Sequence, residues 1–545
     1  MSTTNDTFLG HHLRSMTTAQ VLADKASSQP DRVFLRYLPD GREITFAQLD
    51  ALSNRIANGL ARAGVEHGTH VAVLMDNSPE ELLTFFALGK LGAVAVPINT
   101  ANRGASLKYL LTHSDCAALV VDYGLWDRFS ELSSDVPKLR TAIVLRGSSN
   151  DAMPDAPGLN VLDWRSFEDE PDTPPTAQVH FTDTAYIIYT SGTTGPAKGV
   201  MITQTQCFMW GLSHARAFGH RSSDVIYICL PLFHVNALQG ATYNALMLGS
   251  TIVLQKRFSA SGFWNDIRAN DVTITNLLGS MVNILWSRPA ETSDSDNRLR
   301  MCMSAPIPAF GPGFEQRFGL RFIQSYSLTD FGPSHAYTLV DPADRLGSCG
   351  RVRAGVLARV VDQDDLSLPN GERGELVLRH EVPWMHSQGY YKMPEATVKS
   401  WRNGWFHTGD RGYIDEEGYF WFLDRMKDAI RRRGENISAY EVEQSLQSHP
   451  QVKEVAVFAV RSEMSEDEVA AAVVLRDGAY VTHEELIDFC RHAMAYFMVP
   501  RFLVFMDDLP RNPSHKVEKF KLREMANDDM SLLWDRERAG IVIKR

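Results

Sequence analysis

The sequence predicts an α/β protein with parallel sheets covered by helices, closed at its C-terminal end by a smaller α+β domain. Helical and strand patterns alternate through roughly the first four hundred residues, which implies parallel strands joined by crossover helices. The charge pattern then changes abruptly within residues 421–434 (WFLDRMKDAIRRRG), and a compact run of two helices and two strands follows.

The elements come in order. Residues 46–64 (FAQLDALSNRIANGLARAG) put Leu49, Leu52, Ile56 and Leu60 on one face, as an amphipathic helix does. Residues 70–75 (HVAVLM) form a short apolar strand, followed by a helix over 79–91 and a strand over 93–97. Residues 118–122 (ALVVD) and 141–145 (TAIVL) continue the series. Residues 151–176 are rich in Asp, Glu and Pro and are expected to be a connecting loop. After the charge change, helices are expected over 439–449 and 483–493, with strands over 452–460 and 469–475. The expected organisation is a domain over 1–423, a hinge over 424–427 and a C-terminal domain over 428–545.

Composition narrows the class. Of 545 residues, 44% are hydrophobic and 22% charged, ordinary for a globular protein with a large core. The net charge is −11 and no basic run exceeds Arg431-Arg432-Arg433, so a nucleic-acid partner is not expected. Six scattered cysteines without a Cys-x-x-Cys pair fit reduced thiols rather than a disulfide frame or zinc site. The segment 82–98 is interrupted by Lys90, Gly89 and Gly92 and is too short and mixed to span a bilayer. The start MSTTNDTFLGHHLRSM has no apolar core, so a secretory leader is not expected and the location read is cytoplasmic.

The most informative stretch is 186–203, YIIYTSGTTGPAKGVMIT. An apolar strand runs into Thr190-Ser191-Gly192-Thr193-Thr194-Gly195-Pro196-Ala197-Lys198-Gly199. Its glycines let the backbone turn so that N–H groups converge on an anion, and Lys198 adds positive charge for phosphate oxygens. The order of residues is not the Gly-Lys-Ser/Thr of a Walker loop.

Here the chain resembles the adenylate-forming superfamily of acyl-CoA synthetases, luciferases and peptide-synthetase adenylation domains. The likeness runs from about Leu13 to Glu524, with motifs in the family's order. It implies a large N-terminal domain of α/β subdomains and a small mobile C-terminal domain. It also implies ATP, magnesium and coenzyme A as reactants and cofactor, and a small carboxylic acid as partner. Met303-Ser304-Ala305-Pro306 looks like the adenine-binding turn. Tyr326-Ser327-Leu328-Thr329-Asp330 looks like the family's Tyr-Gly-x-Thr-Glu, in which the tyrosine stacks on adenine, the threonine meets the α-phosphate and the acid binds magnesium. Asp330 is one methylene shorter than the family's Glu, and Ser327 replaces glycine.

Trp405-Phe406-His407-Thr408-Gly409-Asp410 is similar to the motif whose Asp holds both ribose hydroxyls, a task suited to an acceptor with two oxygens. Arg425 looks like the second ribose or phosphate contact, and Lys427 matches the pivot. Pro231-Leu232-Phe233-His234 resembles the segment whose His lines the carboxylate site. Residues 509–516 (LPRNPSHK) align with the family's Pro-x-Thr-x-Ser-Gly-Lys, so Lys516 matches the catalytic lysine. Asn512 and His515 depart from that pattern, and Lys519 and Lys521 are the fallback candidates. A cation between two anions answers the charge that develops as carboxylate meets phosphate. Arg431, Arg433 and Gly434, in RRRGENIS, resemble the loop that forms the pantetheine tunnel. That run looks most like a subgroup containing crotonobetaine/carnitine-CoA ligases and diterpenoid-acid ligases.

Residues 226–250 and 272–287 are expected to line the acyl tail, and neither segment contains Asp, Glu, Lys or Arg. A quaternary ammonium tail would favour a carboxylate or an aromatic cage. The expected substrate is therefore a hydrophobic acid, medium-chain, cyclic or aromatic. Loading of a carrier protein, a crotonobetaine/carnitine-CoA ligase and an inactive nucleotide-binding protein stand as alternatives, and a homodimer stays open.

Overall fold

The computed structural model describes residues 7–147, 152–190, 196–305, 307–308, 310–425, 430–437, 439–462, 466–510, 517 and 519–543. Ser191, Gly192, Thr193, Thr194, Gly195, Pro306, Lys427, Asn512, His515 and Lys516 lie outside them, as does the side chain of Arg425. The chain divides into two compact units. One comprises residues 1–100, 111–188 and 199–424; the other comprises 101–110, 189–198 and 425–545.

The first unit is built on parallel sheets. A seven-stranded sheet runs in the order Lys198–Thr203, Thr184–Thr190, Val94–Pro97, His70–Leu74, Ala118–Asp122, Thr141–Leu145, Asn160–Asp163. Its strands from Thr184–Thr190 onward pair in parallel. Such pairing needs crossover connections, and the helices Phe46–Arg62 and Pro79–Leu91 follow the sequence reading almost to the residue. The former starts with a reciprocal cap between Thr45 and Gln48, which satisfies two backbone donors. The latter is capped by Ser78, opens on Pro79 and ends at Gly92 in the left-handed region (φ +67°). All its residues are buried. Buried Lys90 is accommodated by Asp50 and Asn54, each 2.6 Å away.

Residues 151–176 differ from the expected loop. Asn160–Asp163 adds the last parallel strand, and the turn Trp164–Asp169 buries Trp164 and Phe167. The Trp164 indole N–H donates to Thr84 Oγ1 at 3.0 Å. Two aromatic anchors thus outweigh the acidic, proline-rich composition around them.

A nine-stranded sheet follows the order Arg351–Val352, Gly332–Tyr337, Arg321–Leu328, Met301–Ala305, Ile274–Leu278, Val225–Ile228, Thr251–Leu254, Val33–Tyr37, Arg42–Thr45. Its centre is parallel and its two margins antiparallel. A smaller antiparallel sheet contains Val356–Val361, Gly374–His380 and Trp405–Ile414. In the second unit, Val452–Arg461, Asp467–Leu475, Phe502–Phe505 and Trp534–Asp535 form a sheet, accompanied by helices Ala439–Gln447, His483–Ala493 and Lys519–Asp528. All six cysteines are buried thiols outside any disulfide, and no described helix is long and apolar enough to cross a membrane.

Candidate active site

A short bond links two strands from different sheets. Tyr326 Oη donates to Asp410 Oδ2 at 2.5 Å, across 84 positions of sequence. Each residue is set by a local irregularity. Opposite Gly374–His380, the register passes from Val377↔His407 to Glu375↔Arg411, so Thr408, Gly409 and Asp410 bulge. Gly409 adopts φ +69° there, which a side chain would resist. The Gly409 N–H donates to Glu375 Oε1 (2.9 Å), the Asp410 N–H to Thr408 Oγ1 (3.0 Å), and that hydroxyl to Leu376 O (2.7 Å). A second register shift falls immediately after Tyr326. Burial, and then the Asp410 charge, push the Tyr326 phenol well above its ordinary range, so it stays a donor.

Thr329 and Asp330 occupy the turn after this strand. Tyr390 Oη donates to Asp330 Oδ2 at 2.5 Å, and the Ser387 N–H donates to Asp330 O at 3.1 Å. The sequence reading missed Tyr390; nothing in Gly389-Tyr390-Tyr391 separates it from a core aromatic. Ser304 is buried, and Ser304 and Ala305 pair with Leu277 and Leu278 of the neighbouring parallel strand.

His234 ends a tight turn in which its N–H donates to Pro231 O (3.1 Å). Asn77 pins that turn: it accepts from the Leu232 N–H at 2.9 Å and donates to Leu230 O at 2.9 Å. A π-helix, Asn236–Tyr243, begins two residues after His234. Such wide helices are rare and favour functional sites. The Asn276 amide donates to Asn236 Oδ1 at 2.7 Å, joining the two chargeless segments expected to line the acyl tail.

Behind the tyrosine lies a buried polar cluster that sequence reasoning also missed. The Arg353 guanidinium donates to Ser325 Oγ (2.7 Å), Ser213 Oγ (3.3 Å) and His335 O (3.2 Å), and lies over the Phe218 ring. Burial lowers its pKa to about 9. His214, 3.2 Å from Ser325 Oγ, is held neutral by burial and then by Arg353. His335 is lowered to about 3 for the same two reasons. An added side chain at Gly240 of the π-helix would come within 3.1 Å of His214, so this cluster abuts the acyl-lining segment.

In the second unit, Thr190 ends one strand and Lys198 begins the next, on either side of the stretch expected from the sequence to bind phosphate. Tyr109 Oη donates to Ala197 O at 2.9 Å beside that exit. The hairpin Ile430–Arg432/Glu435–Ile437 turns through Arg433 (φ +51°) and Gly434 (φ +80°), so Gly434 is explained by the turn itself. Arg431 is exposed and Arg433 half-exposed. Between them Arg432 is buried, ion-paired with Glu468 at 2.6 Å and bonded to Phe497 O and Val499 O. Lys519 is ion-paired with Glu443 at 2.6 Å, and Lys521 lies at the surface.

Against known proteins, the family model for AMP-binding enzymes matches residues 22–391, and that for their C-terminal domain matches 441–516. The chain belongs to this family of acyl-CoA ligases and adenylating enzymes. It is 33% identical over 495 residues to a crotonobetaine/carnitine–CoA ligase of Salmonella paratyphi B, covering 88% of this chain and 93% of that one. Its fold matches a double mutant of o-succinylbenzoate CoA synthetase from Bacillus subtilis, with TM-score 0.80, 28% identity, and 93% and 98% of the two chains covered. It also matches an amide bond synthetase from Marinactinospora thermotolerans, with TM-score 0.82, 26% identity, and 93% and 99% covered. The AMP-binding enzyme fold explains the parallel-sheet unit and the smaller C-terminal domain.

Proposed function

We propose that this family member is an ATP-dependent carboxylate–CoA ligase acting on a hydrophobic acid. The observation that carries this reading is the Tyr326–Asp410 pair: an aromatic face and an acceptor carboxylate side by side, one turn from Thr329 and Asp330. In the proposed reaction, a substrate carboxylate oxygen attacks the α-phosphorus of ATP and pyrophosphate leaves. The coenzyme A thiol, giving up its proton, then attacks the acyl carbon and AMP leaves. Asp410 would accept the ribose hydroxyls, Tyr326 would present its ring to adenine beside Ser304 and Ala305, and Thr329 would meet the α-phosphate. Lys198 and the loop residues 190–195 would hold the outer phosphates, His234 would line the carboxylate site, and Lys516 would stand between the reacting anions. Arg425 would give the second nucleotide contact, and Arg431 and Arg433 would meet the coenzyme's phosphates.

Asp330 suits a magnesium ion bound through one carboxylate and substrate phosphates, an arrangement that needs no three-residue cluster. Among the described residues no such cluster occurs. Magnesium, when bound, would neutralise phosphate charge; the Tyr390 phenol keeps the Asp330 carboxylate oriented.

The chargeless lining supports an uncharged tail, and the π-helix turns Ala237, Leu238 and Ala241 into buried positions. The relatives' name favours a second reading, a quaternary ammonium acid. The buried Arg353 cation near that lining weighs against it, since like charges repel. Buried thiols that form no disulfide support a cytoplasmic setting.

The deciding experiment incubates the protein with ATP, magnesium and a panel of acids, with and without coenzyme A. Pyrophosphate and thioester with hydrophobic acids are expected. Pyrophosphate without thioester would point to a carrier-protein acceptor, thioester only with carnitine-like acids to the second reading, and no pyrophosphate with any acid would overturn the reading.

A further inference from the structure

On the side of the nine-stranded sheet where it meets helix Gln204–Phe218, a cleft of about 230 Å³ opens to the surface. Its lining includes Arg216, Arg351, Arg353, Ser213, Phe8 and Asp341. Three guanidiniums face one carboxylate, and that carboxylate is already committed. Asp341 accepts from the Thr338 N–H and Oγ1 at 2.7 Å each and from Tyr419 Oη at 2.8 Å. Arg216 is exposed and makes no hydrogen bond or ion pair among the described residues. Arg351 lies 4.5 Å over the Tyr419 ring and gives one bond to Glu417 O. Arg353 is 6% exposed, and its three bonds all go to neutral oxygens. A buried cation without a counter-charge is costly, and a guanidinium's five donors leave two for a ligand here. Apart from Thr338, the rest of the lining is apolar: Leu9, Ala217, Ala336, Val352 and Ala354, beside Phe8.

We propose that this cleft binds a small amphiphilic anion, an oxyanion headgroup on a short apolar body. The guanidiniums take the headgroup through charge-assisted, bidentate-capable bonds, and the apolar wall takes the body. The site is separate from the nucleotide wall but adjoins it: Arg353 holds Ser325 Oγ, and the next residue is Tyr326.

The test is isothermal titration of the full chain, without nucleotide, with octyl phosphate, octanoate and inorganic phosphate. Octyl phosphate cannot be adenylated and is the decisive probe. Saturable binding of octyl phosphate is expected, with inorganic phosphate at least about tenfold weaker because it lacks the apolar body. Octanoate distinguishes a carboxylate headgroup from a phosphate one; saturable binding of either octyl anion that the double variant below loses supports the site. Arg216→Ala with Arg351→Ala, both exposed positions outside the reaction site, should weaken binding by about tenfold or more. The same double variant should keep its kcat for pyrophosphate release. Undiminished octyl phosphate binding in the double variant, inorganic phosphate bound as tightly as octyl phosphate, or no binding of either octyl anion would each overturn the proposal.

Discussion

Ser325 and Tyr326 are neighbours in one strand and therefore face opposite sides of the sheet. On the Tyr326 side, carboxylates are held by phenols: Asp410 by Tyr326 and Asp330 by Tyr390. On the Ser325 side a cation is held by hydroxyls and a carbonyl, with two neutral histidines beside it. The polarity of the two faces is opposite: carboxylates accept from phenols on one, and a guanidinium donates to neutral oxygens on the other. Neutral acceptors fix the Arg353 charge in place without cancelling it, so that it stays available to something that arrives later.

If the reacting cation is Lys516 and not the buried guanidinium across the strand, Lys516→Ala should slow acyl-AMP formation by about 10²–10³. Thioester formation from supplied acyl-AMP should stay nearly intact. Equal loss in both half-reactions would move Lys516 out of the chemistry, and no loss in either would shift attention to Lys519 or Lys521. Next in size, Asp410→Ala should weaken ATP binding by ~1.5–3 kcal/mol, the worth of a charge-assisted contact. Unchanged ATP affinity in a folded variant would remove the carboxylate face from the nucleotide site.

Tyr390→Phe tests the idea that phenols orient rather than neutralise. It should lower kcat only several-fold, at ~0.5–1.5 kcal/mol, and shift the magnesium dependence. An effect as large as that of Asp330→Asn would give Tyr390 a direct part. The smallest effect belongs to the cation face. Burial, with Arg353, lowers His335 to about 3, and burial lowers His220 to about 4. Unfolded histidine titrates near ~6.5, so the unfolded chain binds more protons below that value. Stability should be full above pH ~6.5 and decline as pH falls toward the folded values, by roughly 1 kcal/mol per histidine between pH 7.5 and 6. A melting temperature that rises over that interval would contradict neutral histidines on this face.

The two faces were unequally legible. Tyr326, Asp330 and Asp410 stand in short motifs that the resemblance to the adenylate-forming superfamily singled out, and they fall at one strand end and one bulge. Arg353 and His214 stand 139 positions apart in a run of ordinary residues, and only folding makes them neighbours. Helices and strands between residues 46 and 145 followed from periodicity, since both faces of a parallel strand are apolar. The strand Asn160–Asp163 did not: four residues in an acidic stretch carry no period, and the tertiary packing of Trp164 decides them. The π-helix was invisible for a related reason, because its sequence NALQGATY suits an α-helix equally well.

That π-helix also bears on how this protein can change over generations. A wide turn accommodates one residue more than an α-helix of the same length. Deleting one residue from Asn236–Tyr243 lets the segment relax to the narrower coil while both flanking strands stay in register. The acyl wall thus contains a built-in increment of chain. A single codon lost there would re-aim only the side chains within the helix near the deletion, without any exchange of residue types.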